Sequence, residues 1–339
     1  MSIFNEIYTI YTNHLSDFTK LKSSIPEHVY HYTSPNGLKS IIESKSIFIS
    51  DYRFLNDITE IQYFINIVLD ELEKSPTYKN TYFYTIIKSH LNNNFIDQFK
   101  MPIIYYNNDL KKTRVHNIDK CSYYIFSTSL KPDSLSMWNY YSKVPSNEGY
   151  NLKFDLSNLL DQIKFSTKDL INSYISKITK SNASVTGMEI INYGKVNYDI
   201  STQRNTALKI LDSFYKISTK IPESTFNQDA LQFLNHLIRL YAYYQKSQDF
   251  SVEDEYRTII ALPKSISSFK NIQIEFPVIN GCFAPKLKIA LNKWEKLIEE
   301  IKISPKNSTN FAKVGLRTFL DYNELEKVDI TFSDIKVRF

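Results

Sequence analysis

The residues able to do chemistry gather in four polar runs: His31-Tyr32-Thr33, Arg53-Phe54-Leu55-Asn56-Asp57, Phe126-Ser127-Thr128-Ser129 and Glu253-Asp254-Glu255-Tyr256-Arg257. Each lies in or beside an otherwise apolar segment, where a polar group needs a partner or a ligand. Glu253 and Glu255 are two apart, so a strand running through both puts their carboxylates on one face, with Arg257 on that face as well. Two carboxylates on one face repel, which raises the pKa of at least one unless a cation intervenes. Two roles fit: a catalytic carboxylate with a helper, or a surface ladder in which Arg257 neutralises Glu255. The hydroxyls of Ser127, Thr128 and Ser129 either orient a ligand or bond local backbone. His31 is a ligand contact or a satisfied buried imidazole. Asn56 or Asp57, with Glu60 beyond, makes a helix cap. Capping leaves Arg53 unexplained. In Met137-Trp138-Asn139-Tyr140-Tyr141, the rings of Trp138, Tyr140 and Tyr141 either stack on a flat heterocycle or pack in a core.

Other chemistry is missing. With 6 glycines there is no GxGxxG and no GxxxxGK[ST], which argues against a Rossmann or P-loop nucleotide site. No HExxH, HxH, CxxC or GxSxG occurs. The 2 cysteines, Cys121 and Cys282, are far apart and form no disulfide framework. His28 and His31, three apart on a strand, face opposite sides.

The elements that position these runs follow from periodicity. Residues 1–22 read as an amphipathic helix. Val29–Thr33 reads as a strand, and Ser34-Pro35 as a helix start. Ile47–Ser50 is a second strand, and 57–73 a second amphipathic helix. Residues 74–120 are poorly patterned, with a helix expected around 80–98. Tyr123–Ser129 is a strand, Leu135–Tyr141 a short helix and Gly149–Asp155 a strand. Residues 156–180 are expected to be helical, Met188–Tyr193 a strand and 203–247 strongly helical. Glu255–Leu262 and Ile272–Ile279 read as strands, the latter at an edge because of Pro277. Pro285 opens an expected helix through about Ile303, and a last strand starts at Val328. Irregular mixing of strands and helices favours α+β over a doubly wound sheet. We expect a helix at 1–25 and a single domain over 26–339, with a helix-rich insertion at about 156–247.

The 339 residues suffice for one large domain or two ordinary ones, and 42% apolar with 23% charged residues is ordinary for a globular chain. A net charge of +5 permits contact with nucleic acid without demanding it. Lys111-Lys112-Thr113-Arg114, the densest basic run, reads as a solvated loop. No signal peptide and no apolar run of spanning length is apparent, so a cytoplasmic protein without membrane contact is expected.

Taken in order, His31-Tyr32-Thr33, Leu55-Asn56-Asp57 with Glu60, Phe126-Ser127, Met137-Trp138 with Tyr141, Glu253-x-Glu255-Tyr256-Arg257 and Ser333-x-Ile335-x-x-Arg338 resemble a widespread bacterial family catalogued as a domain of unknown function. The similarity spans about 26–339. More distantly, the series resembles the ADP-ribosyltransferase fold of the diphtheria-toxin and poly-ADP-ribose-polymerase type. That resemblance implies a split mixed or antiparallel sheet with three slots: His31 on a first strand, Ser127-Thr128-Ser129 on a later one, Glu255 on a last. Glu253-x-Glu255 resembles the Glu-x-Glu pair of arginine-modifying members. Tyr32 stands where the family usually has glycine.

The resemblance implies NAD as a cleaved substrate. Glu255, helped by Glu253, would stabilise positive charge on the ribose. His31, Tyr32, Thr33, Asn56, Asp57, Ser127, Thr128, Trp138 and Arg257 would line the site; Tyr140 or Tyr141 would stack on nicotinamide, and Arg53 would hold the pyrophosphate. It further implies a toxin or anti-phage effector acting on a protein or nucleic-acid target. Two other classes stay open: a metal-dependent nuclease or nucleotide hydrolase using Glu253, Glu255 and Asp57, and a non-catalytic sensor or interaction protein.

Overall fold

The computed structural model describes residues 3–21, 25–55, 60–91, 100–107, 112–119, 121–141, 148–179, 183–187, 191–263, 268–269, 272–279, 281–292, 294–307 and 309–336. The chain opens with helix α1 (Ile3–Leu21), strand β1 (His28–Thr33), α2 (Pro35–Ser44), β2 (Ser46–Asp51), α3 (Glu60–Lys74) and α4 (Tyr82–His90). There follow β3 (Lys100–Asn107), β4 (Lys112–Asp119), β5 (Cys121–Ser129), α5 (Leu135–Tyr141), β6 (Tyr150–Asp155), α6 (Leu156–Thr179), β7 (Ala183–Gly187) and β8 (Ile191–Lys195). Next come α7 (Ile200–Ser218), the single turn α8 (Glu223–Thr225), α9 (Leu231–Ala242) and β9 (Glu255–Pro263). The last third holds β10 (Ser268–Phe269), β11 (Ile272–Glu275), β12 (Val278–Ile279), β13 (Cys282–Phe283), β14 (Lys286–Ala290), β15 (Ile298–Ile303), α10 (Asn310–Tyr322) and β16 (Asp329–Phe332).

The main sheet has 11 strands and forks at β5. One edge of β5 pairs with β9 from Cys121 to Ser129, and β8 pairs with the far side of β9. The other edge is shared. β2 takes Tyr124 and Ile125, and β1 takes Ser129. The sheet continues from β1 through β6 and β15 to β16, and from β2 through β14 and β11 to β10. β15 and β16 run parallel, whereas the other pairs of this sheet are antiparallel. The fold is therefore mixed α and β around a mixed, open sheet.

Helices cover both faces. Val29, Ile49, Phe126, Leu152, Leu287 and Ile301 form one apolar layer, packed under α2, α6 and α10. Tyr123, Ile125, Ile259 and Ala261 face the other way, into a core made with α1, α3, α4, α7 and α9. Strand alternation explains the division, since neighbouring residues of β5 and β9 serve opposite layers. The turn into α2 is locally determined. Ser34 Oγ accepts from the Gly37 amide (3.1 Å), Pro35 takes the first helical position, and a Cβ on Gly37 would fall 2.1 Å from Thr33 Oγ1.

Three expectations are corrected. The helix expected from Pro285 to Ile303 is two strands, β14 and β15. Leu287, Ile289 and Leu291 alternate at the period of a strand, and pairing with β2 seats them on one buried face. The strand expected over Ile272–Ile279 breaks at Phe276-Pro277 into β11 and β12. Residues 156–247 are mostly helical, but β8 lies within the main sheet, so this stretch is built into the core. α1 likewise belongs to the body: Tyr11 lies 4.6 Å from Phe233 of α9, ring to ring.

Candidate functional site

The acidic motif is a turn followed by a strand. Gln248–Glu253 forms a 3-10 turn, Asp254 takes a left-handed conformation (φ 43°), and β9 begins only at Glu255. Strand alternation therefore does not relate Glu253 to Glu255, contrary to the expectation of one shared strand face. Lys246 joins them instead. Its Nζ lies 2.6 Å from Glu253 Oε2 and 3.8 Å from Glu255 Oε2. Arg257 shares the strand face of Glu255, and that carboxylate's Oε2 accepts from Arg257 Nε (2.9 Å) and from a second guanidinium nitrogen. Arg257 also donates to the Tyr243 carbonyl (2.7 Å). The four side chains are almost fully buried, so this is an internal cluster of two cations and two carboxylates, not a surface ladder. Glu255 Oε2 thus takes contacts from both cations, Arg257 and Lys246.

β5 runs beside this cluster. Ser129 pairs with Glu255 on one side and with Tyr30 of β1 on the other, so the three residues form one rank across three strands. The hydroxyls are tied to backbone: Thr128 Oγ1 donates to the Tyr256 carbonyl (2.8 Å) and Ser129 Oγ to the Glu253 carbonyl (2.7 Å). Ser127 is half-buried opposite Arg257.

His31 is separated from Glu255. Paired residues share a face, so Tyr30 stands on the Glu255 side and His31 on the opposite one. The His31 ring lies 5.1 Å from that of Phe126, at the fork between β1 and β2, and the Ser127 carbonyl accepts from it. Burial, and then the nearby charge of Lys286, lower its pKa to about 4, so the imidazole is neutral at pH 7. His31 thus fills the fork, and the expected meeting of His31 and Glu255 in one cleft does not occur. Thr33 shares the His31 face and abuts Gly37.

Tyr32 points away from His31, into a third cluster with Met137 and Trp138. The Tyr32 and Trp138 rings meet edge to face at 4.8 Å, and Tyr32 Oη donates to the Lys131 carbonyl (2.8 Å). The indole nitrogen donates to Asp133 Oδ1 (2.7 Å). The Asp133 carboxylate also accepts from Ser333 Oγ (2.8 and 2.9 Å) and from the Asp334 amide (2.9 Å), clasping the C-terminal segment. Trp138 is therefore an anchor, buried to 2% exposure, and not an open stacking platform. Tyr141 packs at the rim of this cluster, whereas Tyr140 is exposed. Arg53 gives Nε (2.9 Å) and a guanidinium nitrogen (2.8 Å) to the buried Asp51, which occupies the fork expected to take a pyrophosphate. Asn56 and Asp57 lie outside the described residues.

A cleft of about 460 Å³ opens beside the start of β9. Tyr198 lines it and joins it to the buried cluster, since Tyr198 Oη accepts from the Glu255 amide (3.1 Å). Burial and the Glu255 charge push the Tyr198 phenol well above its ordinary pKa. Lys246, Asp133, Tyr198 and Gln245 were not singled out from sequence. Lys246 reads as an ordinary cation after a helix, and only the fold carries it to the glutamates. Among the described residues no three His, Cys, Asp or Glu side chains are grouped to hold a metal, and no helix is long and apolar enough to cross a membrane.

A family model described as "Protein of unknown function (DUF2971)" matches residues 137–258. The match takes in Met137-Trp138 and Glu253–Arg257, and leaves His31, Leu55–Asp57 and Ser333 outside it. No curated protein and no solved structure matches the chain.

Proposed function

We propose that this protein is an ADP-ribosyltransferase-like enzyme that cleaves NAD at the nicotinamide–ribose bond and passes the ADP-ribosyl group to a protein or nucleic-acid target. The observation that carries this reading is the rank Tyr30–Ser129–Glu255. Strands distant in sequence, each bearing one slot of the resemblance, lie side by side with their motifs at one level. The site so read lies on the Glu255 face, and Tyr30 replaces His31 as the β1 side chain on that face. In the reaction the glycosidic pair of electrons leaves with nicotinamide and positive charge develops on the ribose; a nucleophilic N–H or O–H of the target then bonds through its lone pair to the ribose anomeric carbon and gives its proton to water. The Glu255 carboxylate opposes that charge, with Oε2 fixed by Arg257 and Oε1 turned to the ribose 2′-hydroxyl. Glu253 has the positioning role, through Lys246.

A second reading, a binding or interaction protein without chemistry, is favoured by the burial of the Glu255 side chain to 5% exposure. Incubation with NAD labelled in nicotinamide separates the two. Release of label by wild type, lost in a Glu255→Gln variant with wild-type circular dichroism, supports the transferase. No release from folded wild type, with or without cell lysate as acceptor, supports the binding protein. The metal-dependent nuclease has less support, because Lys246 and Arg257 already neutralise Glu253 and Glu255.

A further inference from the structure

We infer that the exposed face of α10 is the contact of a twofold, antiparallel dimer of this chain. α10 carries two apolar stripes. Leu316 and Leu320, with Ala312 and Phe319 beside them, pack into the apolar layer that holds Val29 and Ile301. The second stripe faces outward. Phe311 is 90% exposed, Tyr322 89% and Val314 63%, the first two being the most exposed large apolar side chains among the described residues. Gly315 and Thr318 are exposed between them, and a Cβ on Gly315 would meet nothing within 4 Å. At about 100° per residue, these five and the half-buried Phe319 fall within an arc of about 140°. One apolar stripe seats a surface helix on its own core; a second stripe needs a partner.

The order of residues along the stripe selects that partner. Positions 311, 314, 315, 318, 319 and 322 read Phe, Val, Gly, Thr, Phe and Tyr. A twofold axis midway between residues 316 and 317 sets Phe311 against the partner's Tyr322 and Gly315 against the partner's Thr318. It also sets Val314 against the partner's Phe319, and repeats each contact at the other end. Rings then meet rings at both ends, and small residues meet at the centre. Packed helices lie about 8–10 Å apart, and the shorter distance needs small side chains at the contact. A partner of unrelated sequence has no need of a stripe that complements itself when reversed.

Polar groups do not oppose this contact. Thr318 Oγ1 already donates to the Val314 carbonyl (3.0 Å), so its burial strands no donor. The charged residues of α10 lie on one flank and are held there. Arg317 donates to Asp321 (3.3 Å) and to the Glu326 carbonyl (2.8 Å), and the Lys313 ammonium lies over the Phe332 ring. The stripe has the composition of an interface centre, aromatic and without charge. Two rings and a valine per copy cover roughly 500 Å², about 1,000 Å² for the pair, which is the lower bound of specific association. The dimer is therefore weak and reversible.

The test is sedimentation velocity of the full chain between about 5 µM and about 500 µM, where a dimer with Kd between about 1 µM and about 1 mM is expected. Phe311→Lys and Tyr322→Glu change exposed side chains outside the core, and each should weaken association at least about tenfold. The double variant sets opposite charges across both ends of an antiparallel pair, whereas a parallel pair would bring like charges together. It should associate roughly threefold or more tighter than either single variant. Residues 311 and 322 stand about 16 Å apart along one helix, so this rescue cannot arise within a chain. Wild type that stays monomeric over the whole range overturns the inference. So does a monomer that cosediments with phosphatidylserine vesicles, which assigns the face to a membrane. A dimer that survives both single variants, or a double variant no tighter than the singles, overturns it as well.

Discussion

Replacing Lys246 by Met keeps the length of the side chain and removes one buried cation. Its Nζ is 2.6 Å from Glu253 Oε2, and the two side chains are 6% and 9% exposed. Arg257 remains beside Glu255 in the variant, and the buried Glu253 loses the cation that lies 2.6 Å from it. Breaking a buried pair from one side costs about 3–5 kcal/mol, against 0–1 kcal/mol for an exposed pair. At about 2.1 cal/mol/K per residue, the 339 residues carry about 0.7 kcal/mol/K of unfolding entropy, so a loss of about 4 kcal/mol lowers Tm by about 6 °C. The loss should depend on pH. A buried carboxylate without its cation has a raised pKa, so the folded variant binds a proton that the unfolded chain does not, and its deficit shrinks as pH falls from 8 toward about 5. Urea unfolding of both proteins at each pH measures this difference. A deficit below about 1 kcal/mol, or one that does not change with pH, refutes the assignment of a buried, mutually neutralised cluster.

Other outcomes follow from the packing. Gly37→Ala places a Cβ 2.1 Å from Thr33 Oγ1 and should cost about 1–3 kcal/mol in urea midpoint measurements, whereas Gly315→Ala, with open space around it, should not destabilise. His31 and His236 titrate at about 4 and about 3 when folded, below their ordinary value of 6.5, because burial disfavours the charged ring. The unfolded chain therefore binds more protons below pH 6.5. Stability is complete above that pH and falls as pH drops toward 4, by up to about 1.4 kcal/mol per pH unit for each histidine. His31→Gln should remove one histidine's share of that slope, up to about 1.4 kcal/mol per pH unit between pH 6 and 5, read from urea midpoints at each pH.

Much of the frame was legible in local sequence. Ser34-Pro35 starts α2 because a hydroxyl and a missing N–H suit the first turn. β5 and β9 were visible as apolar and β-branched runs. The region after Pro285 was misread because its Lys, Leu and Glu residues favour helix while β2 offers a strand partner, and pairing won. The site was less legible, since it depends on register. His31 and Tyr30 are adjacent in sequence, yet only the pairing of Tyr30 with Ser129 reveals which one shares a face with Glu255. The Glu-x-Glu spacing suggested one strand face, and the left-handed Asp254 removes that inference. Ser333 and Ile335 stood in the motif series without a role; the fold supplies one in the Asp133–Trp138 clasp.

The most direct measurement of the central claim is nicotinamide release from labelled NAD by wild type and by Glu255→Gln at equal folded concentration, with cell lysate as acceptor. The transferase reading of the Tyr30–Ser129–Glu255 rank predicts release by wild type and a loss of roughly a hundredfold or more in the variant, as expected when a transition-state electrostatic contact is removed. Equal release by both proteins, or none by folded wild type, contradicts it.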